Sequence, residues 1–191
     1  QDVSVSNANL KFNDRYLNLT DLKMKIGRND LTANGKVENY MAYALRDQTL
    51  KGDFTINSNY LNVSDFMADE TKSSKDTSSL TVIEIPKNLN LLLTGNFKQL
   101  VYDKMNFTNA IGVMQVVDGD LKVQKLNLNA FGGNMTMTGT YSTSNPTKPS
   151  VNFDLNMNEI SFSEIFNQVE TLQKIAPIFD KAAGKFNSKL K

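Results

Sequence analysis

The chain has 191 residues, 40% of them hydrophobic, with 21 basic against 20 acidic side chains, so it lacks the basic excess that binding to nucleic-acid phosphates exploits. It contains no histidine and no cysteine, which removes imidazole bases, thiol nucleophiles, their metal sites and every Ser-His-Asp or Cys-His arrangement. The length suits one globular domain or two small ones, and no apolar run approaches the roughly 18 to 20 residues of a membrane-crossing helix.

From the first residues onward, apolar side chains recur at every second position in short runs, the pattern of antiparallel sheet with one wet face. A strand-like start at Gln1 suggests a piece of something longer. Leu17 and Leu19 then give way to Leu22, Met24 and Ile26, a one-residue slip of phase that marks a β-bulge near Thr20-Asp21 or a tight turn. The stretch "GRND" (27–30) carries turn chemistry. Near the end of "DFTINSNYLNVSDFM" (53–67), Asn62 with Asp65 makes a capping box and Leu61 with Phe66 a hydrophobic staple. The helix they start should fail quickly, because "ADETKSSKDTSS" (68–79) is polar, charged and serine-rich. That stretch reads as an exposed linker whose composition suits disorder.

Beyond the linker the alternation resumes in "LNLLLTG" and "MNFTNA", and Asp118-Gly119-Asp120 reads as a hairpin turn; a calcium loop would need alternating oxygen ligands and a distal Glu. Leu121 and Val123 give way to Leu126, Leu128 and Ala130, a second phase slip near Gln124-Lys125. Gly132-Gly133 should turn the chain between strands ending near Phe131 and beginning near Asn134. A phosphate-cradling role is disfavoured, because a phosphate loop should open a helix and here a strand follows. Val151, Phe153, Leu155 and Met157 point one way from the next strand, Asn152, Asp154 and Asn156 the other. Ser161 with Glu164, and Ile160 with Ile165, repeat the box and staple. The helix they start should run on through Val169 and Leu172, break at Pro177, and continue through Phe179, Ala182, Ala183 and Phe186, with Gly184 beginning to unwind it.

These features repeat. Residues 14–37 lie over 118–141 without a gap, at an offset of 135 − 31 = 104, and residues 53–67 lie over 152–166 at 163 − 64 = 99. Upstream, "VSNA" (5–8) lies over "FTNA" (107–110). The chain therefore divides into a first β-repeat (1–67), a polar linker (68–80), and a second β-repeat with a C-terminal helix (81–191). The expected fold is mainly β, in the α+β class: two tandem antiparallel meanders forming one curved, twisted sheet, with an amphipathic C-terminal helix over an apolar face and few helices elsewhere.

The order of these elements resembles the C-terminal region of AsmA-like proteins of Bacteroidetes-type bacteria, relatives of TamB and the bridge-like lipid-transfer proteins. The residues that carry the likeness are Asp118-Gly119-Asp120-Leu121, Phe131-Gly132-Gly133, Gly139 and Val151 to Leu155, followed by "IAPIF"; they cover roughly 83–186, and the first copy matches weakly, having Gly27-Arg28-Asn29 in place of the glycine pair. The resemblance implies a periplasmic segment of an envelope protein anchored in the inner membrane of a Gram-negative bacterium. It further implies a β-groove for lipid transport in outer-membrane biogenesis.

On that view Leu126, Leu128, Met135, Met137, Val151, Phe153, Leu155 and Met157 are the candidates to face a phospholipid or other acylated molecule. The plainer alternative makes them core beneath the C-terminal helix. In the rival function the chain is a structural scaffold of the envelope, contacting other envelope proteins through sheet edges, with a filled core and no ligand. No residue is assigned catalysis, no cofactor or metal is expected, and Tyr102-Asp103-Lys104 is a polar triplet of the kind found at solvated strand ends.

Overall fold

The structure, a computed structural model, describes residues 2–66, 82, 84–175 and 177–191; the linker predicted at 68–80 lies outside them. Ten strands form one sheet in chain order. They are β1 (Val3–Phe12), β2 (Tyr16–Ile26), β3 (Asn29–Glu38), β4 (Leu50–Asn62), β5 (Leu89–Tyr102), β6 (Met105–Val117), β7 (Asp120–Ala130), β8 (Gly133–Ser142), β9 (Ser150–Ser161) and β10 (Lys185–Leu190). The expected mainly β fold is what the molecule adopts.

Every neighbouring pair is antiparallel except one. β4 and β5 run parallel from Leu50↔Leu89 to Asn62↔Val101, and this join makes the two copies one continuous sheet. Parallel neighbours need a long crossover where antiparallel ones need only a turn. The segment between Phe66 and Leu89, which contains the linker, supplies that length.

The repeat holds at the level of register. β2 and β3 slip between Leu19 and Leu22, and β7 and β8 slip between Val123 and Leu126, at the two places where the phase of alternation changes. In each copy a glycine of the following strand stands opposite a phenylalanine of the next: Gly35 faces Phe54 and Gly139 faces Phe153. The upstream overlay of "VSNA" on "FTNA" is corrected by two residues. Ser4, Asn7, Leu10 and Phe12 face Lys25, Lys23, Leu19 and Leu17 as Thr108, Ile111, Met114 and Val116 face Asn129, Asn127, Val123 and Leu121, an offset of 104 and not 102.

The glycine-pair turn sits one residue earlier than the sequence suggests. Phe131 and Gly132 form it, with φ of 50° and 72°, and Gly133 already pairs with Ala130 as the first residue of β8. Positive φ at both positions is the twist-matched two-residue hairpin, but it is strained for phenylalanine. The ring is 6% exposed, packs with Ala130 and Ile160, and meets Phe107 edge-on at 6.3 Å; burying it offsets the backbone strain. Gly133 serves a different end, since a Cβ there would lie 2.6 Å from the Glu159 carbonyl oxygen. Asp118 and Gly119, with φ of 53° and 83°, make the other predicted hairpin.

The capping boxes start helices as expected, but short ones. Asn62 takes the Ser64 amide at 3.2 Å and donates to Asp65 at 3.0 Å, opening a 3-10 turn at Val63–Phe66. Ser161 accepts the Glu164 amide at 3.4 Å, opening α2 (Phe162–Gln168). Val169 then leaves helical geometry, α3 (Glu170–Ile175) follows, and a 3-10 turn occupies Pro177–Lys181.

The long C-terminal helix anticipated through Phe186 is therefore replaced by short pieces and a tenth strand. Gly184, at φ 96°, turns the chain; Phe186 then pairs with Ile160 and stacks on Phe162 at 4.6 Å, and Leu190 pairs with Leu155. One further helix, α1 (Tyr40–Arg46), bridges β3 and β4. It was not anticipated, because Asn39 caps it in the left-handed region without a side-chain bond to the first turn.

Asp30 lies beyond the last pair of the β3–β4 ladder and fills the gap with its carboxylate, which accepts from Tyr60 N at 2.8 Å, Asn59 N at 3.0 Å, Asn59 Nδ2 at 2.6 Å and Ser58 Oγ at 3.3 Å. Partial burial alone would raise its pKa, but the donors from Tyr60, Asn59 and Ser58 outweigh it and hold the carboxyl below its ordinary value. A carboxylate depressed by folding stabilises above its unfolded pKa of about 4 and loses that stabilisation as pH falls through the folded value. Urea midpoints of the chain and of Asp30→Asn should therefore differ at pH 7 and converge below about pH 4. A gap unchanged at pH 3 would count against this role.

Candidate functional site

Directly opposed residues of neighbouring strands share a face, so the register defines rows running across the sheet. One row is Phe12, Leu17, Val37, Gly52, Leu91, Val116, Leu121, Tyr141 and Val151. The next is Leu10, Leu19, Gly35, Phe54, Leu93, Met114, Val123, Gly139 and Phe153. A third runs from Leu22 through Ala33, Ile56, Gly95, Gly112, Leu126, Met137 and Leu155 to Leu190. None of these positions is charged, and Tyr141 is the most polar.

The opposite face has another character. Its corresponding row reads Lys11, Asn18, Lys36, Asp53, Leu92, Gln115, Lys122, Thr140 and Asn152. The two bulges keep this division intact in both copies. Without the extra residue at Thr20-Asp21 or Gln124-Lys125, the second half of β2 and of β7 would present its apolar set to the wrong side.

Among the described residues, cover on the apolar face is local. α2 and α3 lie across the ends of β6 to β10, where Ala130, Phe131 and Ile160 are buried and Met105, Phe107, Leu128, Met135, Met157, Ile165, Val169 and Phe186 pack around them. Two polar contacts hold the helices over the β5–β6 turn: Lys104 pairs with Glu170, and Gln168 Oε1 accepts from Asn106 N at 3.2 Å. Each partner moves the other's pKa through its hydrogen bond, Lys104 upward and Glu170 downward, yet both are exposed and solvent weakens the pair.

This divides the eight candidates of the sequence. Leu128, Met135 and Met157 belong to the packed end beneath the helices. Leu126, Met137 and Leu155 lie in the third row and are half-buried, outside that cluster. Phe153 and Val151 are 41% and 66% exposed. Sequence reasoning missed the first-copy half of the same face, from Leu17 to Ile56, although the repeat was the signal that could have extended the assignment. It also missed the β5 members Leu91 and Leu93.

The polar triplet resolves into structure. Asp103 turns the chain at φ 54°, with its amide bonded to Ser64 Oγ at 2.9 Å, and Lys104 holds Glu170. A cavity of about 960 Å³ between α1 and the polar face is lined by Arg15, Tyr16, Lys36, Glu38, Arg46 and Lys51, among others. Lys36 pairs with Glu38 and sits 5.0 Å over the Tyr16 ring, so part of its charge is already answered within the protein. Among the described residues no group of three acidic side chains is placed to hold a metal, and no helix is long and apolar enough to cross a membrane. No protein family, curated protein or solved structure matches the chain.

Proposed function

We propose that the chain is a non-catalytic segment of a lipid-carrying β-groove, the part it would play in an AsmA-like envelope protein of the periplasm whose parent is anchored in the inner membrane. The observation that carries this reading is the set of three apolar rows crossing nine strands each. At about 4.8 Å per strand such a row is about 38 Å long, well beyond the roughly 15 Å depth of acyl chains in one leaflet. Folded chains rarely leave a contiguous apolar patch larger than a few hundred Å² to water without a partner for it.

An acyl chain suits this surface better than a specific small molecule does. The rows offer apolar contact and almost no directed hydrogen bonds, so they select for hydrocarbon and for little else. A scaffold with a filled core would need cover over the whole face. Among the described residues the helices cover only the ends of β6 to β10.

Native mass spectrometry with lipid extraction, on protein purified from a membrane-containing bacterial lysate, tests the reading. The chain should carry phospholipid, and Val123→Asp with Phe153→Asp, both outside the packed cluster, should reduce it at least tenfold while circular dichroism stays unchanged. Thr138→Asp, on the polar face, should leave it alone. Absence of lipid from the unmodified chain, or equal loading of the face variant, would overturn the proposal.

A further inference from the structure

β1 and β6 hold equivalent places in the two copies. Each leads by a hairpin into the strand that carries the bulge, with the same apolar pairs at the same offset. The outer edge of β6 is filled: β5 runs antiparallel along it in unbroken register from Asn90↔Val117 to Tyr102↔Met105, setting Leu91 and Leu93 opposite Val116 and Met114. Among the described residues the outer edge of β1 has no neighbour in the sheet, and all ten residues of β1 are exposed. Leu10 and Phe12, the counterparts of Met114 and Val116, are 51% and 71% exposed, whereas those counterparts are half-buried beside β5.

Bulges often blunt a sheet edge against pairing, and β1 slips register twice against β2. They do not blunt this one. β6 carries two slips against β7 and still pairs with β5 without interruption.

We propose that the outer edge of β1 accepts an added strand, an extended segment of a partner polypeptide running antiparallel to it, apolar at alternate positions in the manner of β5. Its backbone would complete the ladder, as in strand addition generally, and its apolar side chains would extend two rows beyond Leu10 and Phe12. The chain's other edge is a poorer acceptor, since β10 spans only Lys185–Leu190 and carries lysines at 185 and 189. The inference stands whether or not the face carries lipid.

The test adds a peptide of the β5 sequence, residues 89–102 with lysines at each end for solubility, to the whole chain and follows backbone hydrogen exchange. Exchange in residues 3–12 should slow at least tenfold and saturably, with β6 and the rest unchanged. A peptide of the same composition with the alternation scrambled should have no effect. Leu10→Lys with Phe12→Lys, two exposed positions, should weaken the effect of the β5 peptide at least tenfold while β2 keeps its protection. No slowing in 3–12, equal slowing by the scrambled peptide, or slowing that grows with chain concentration when no peptide is present would each overturn the proposal. The last result would give the edge to a second copy of the chain.

Discussion

Replacing Ile160 with alanine is expected to cost about 2–5 kcal/mol of stability, the range for deleting a buried aliphatic side chain whose site cannot collapse. Ile160 is fully buried at the end of β9, beneath α2 and beside Ala130 and Phe131. Phe186 pairs with it from β10, so both the strand register and the helical cover resist collapse around the hole. Leu155→Ala, five residues earlier on the same strand, should cost about 1 kcal/mol, because a half-buried side chain keeps part of its apolar area in water already. Urea unfolding of both variants measures the contrast. Equal losses would mean that the third row is as tightly packed as the cluster under the helices, and the groove reading would then lose its physical basis.

That contrast also marks how far the sequence carried. Local signals were legible: the two phase slips became register shifts where they were expected, and Ser161 and Asn62 opened helical turns. Asp118-Gly119 made its hairpin. Their causes are near-neighbour in origin, so a single sequence contains them. The parallel join of β4 to β5 is a long-range choice that no residue of either strand encodes by type. Phe131 in a left-handed turn defeats a rule that would hand the turn to two glycines, because the tertiary gain of burying its ring outweighs the local preference.

Phe186 illustrates an ambiguity of period. A lone aromatic nine residues after Pro177 fits a resumed helix as well as a strand, and only the open edge of β9 decides it. The same limit applies to the candidate face. Alternation says which residues share a side, but Leu128 and Leu126 alternate identically, and only the path of the chain after Ser161 sets the first against the buried cluster and leaves the second outside it.

The second large effect is expected at the glycines beneath the face. A Cβ on Gly35 would lie 2.5 Å from the Asp53 carbonyl oxygen and 2.8 Å from Cγ of Phe54, so Gly35→Ala must move backbone as well as ring. We expect it to destabilise by about 1–3 kcal/mol, the usual toll of overpacking, and Phe54→Leu in the same chain to restore little. Gly95 makes the useful comparison, because the atoms nearest its absent Cβ all belong to the Phe97 ring, the closest at 2.5 Å. Gly95→Ala should destabilise while that ring is present, and Phe97→Leu should recover most of the loss. The double-mutant coupling should therefore be large at 95 and 97 and small at 35 and 54. If Phe54→Leu rescued Gly35→Ala fully, the strands would be free to part and the close approach of β3 to β4 would not be what requires the glycine. If it does not, the close approach of β3 to β4 beneath the Phe54 ring is what requires glycine at position 35, and the same demand falls at Gly139, where a Cβ would lie 2.7 Å from the Asn152 carbonyl oxygen.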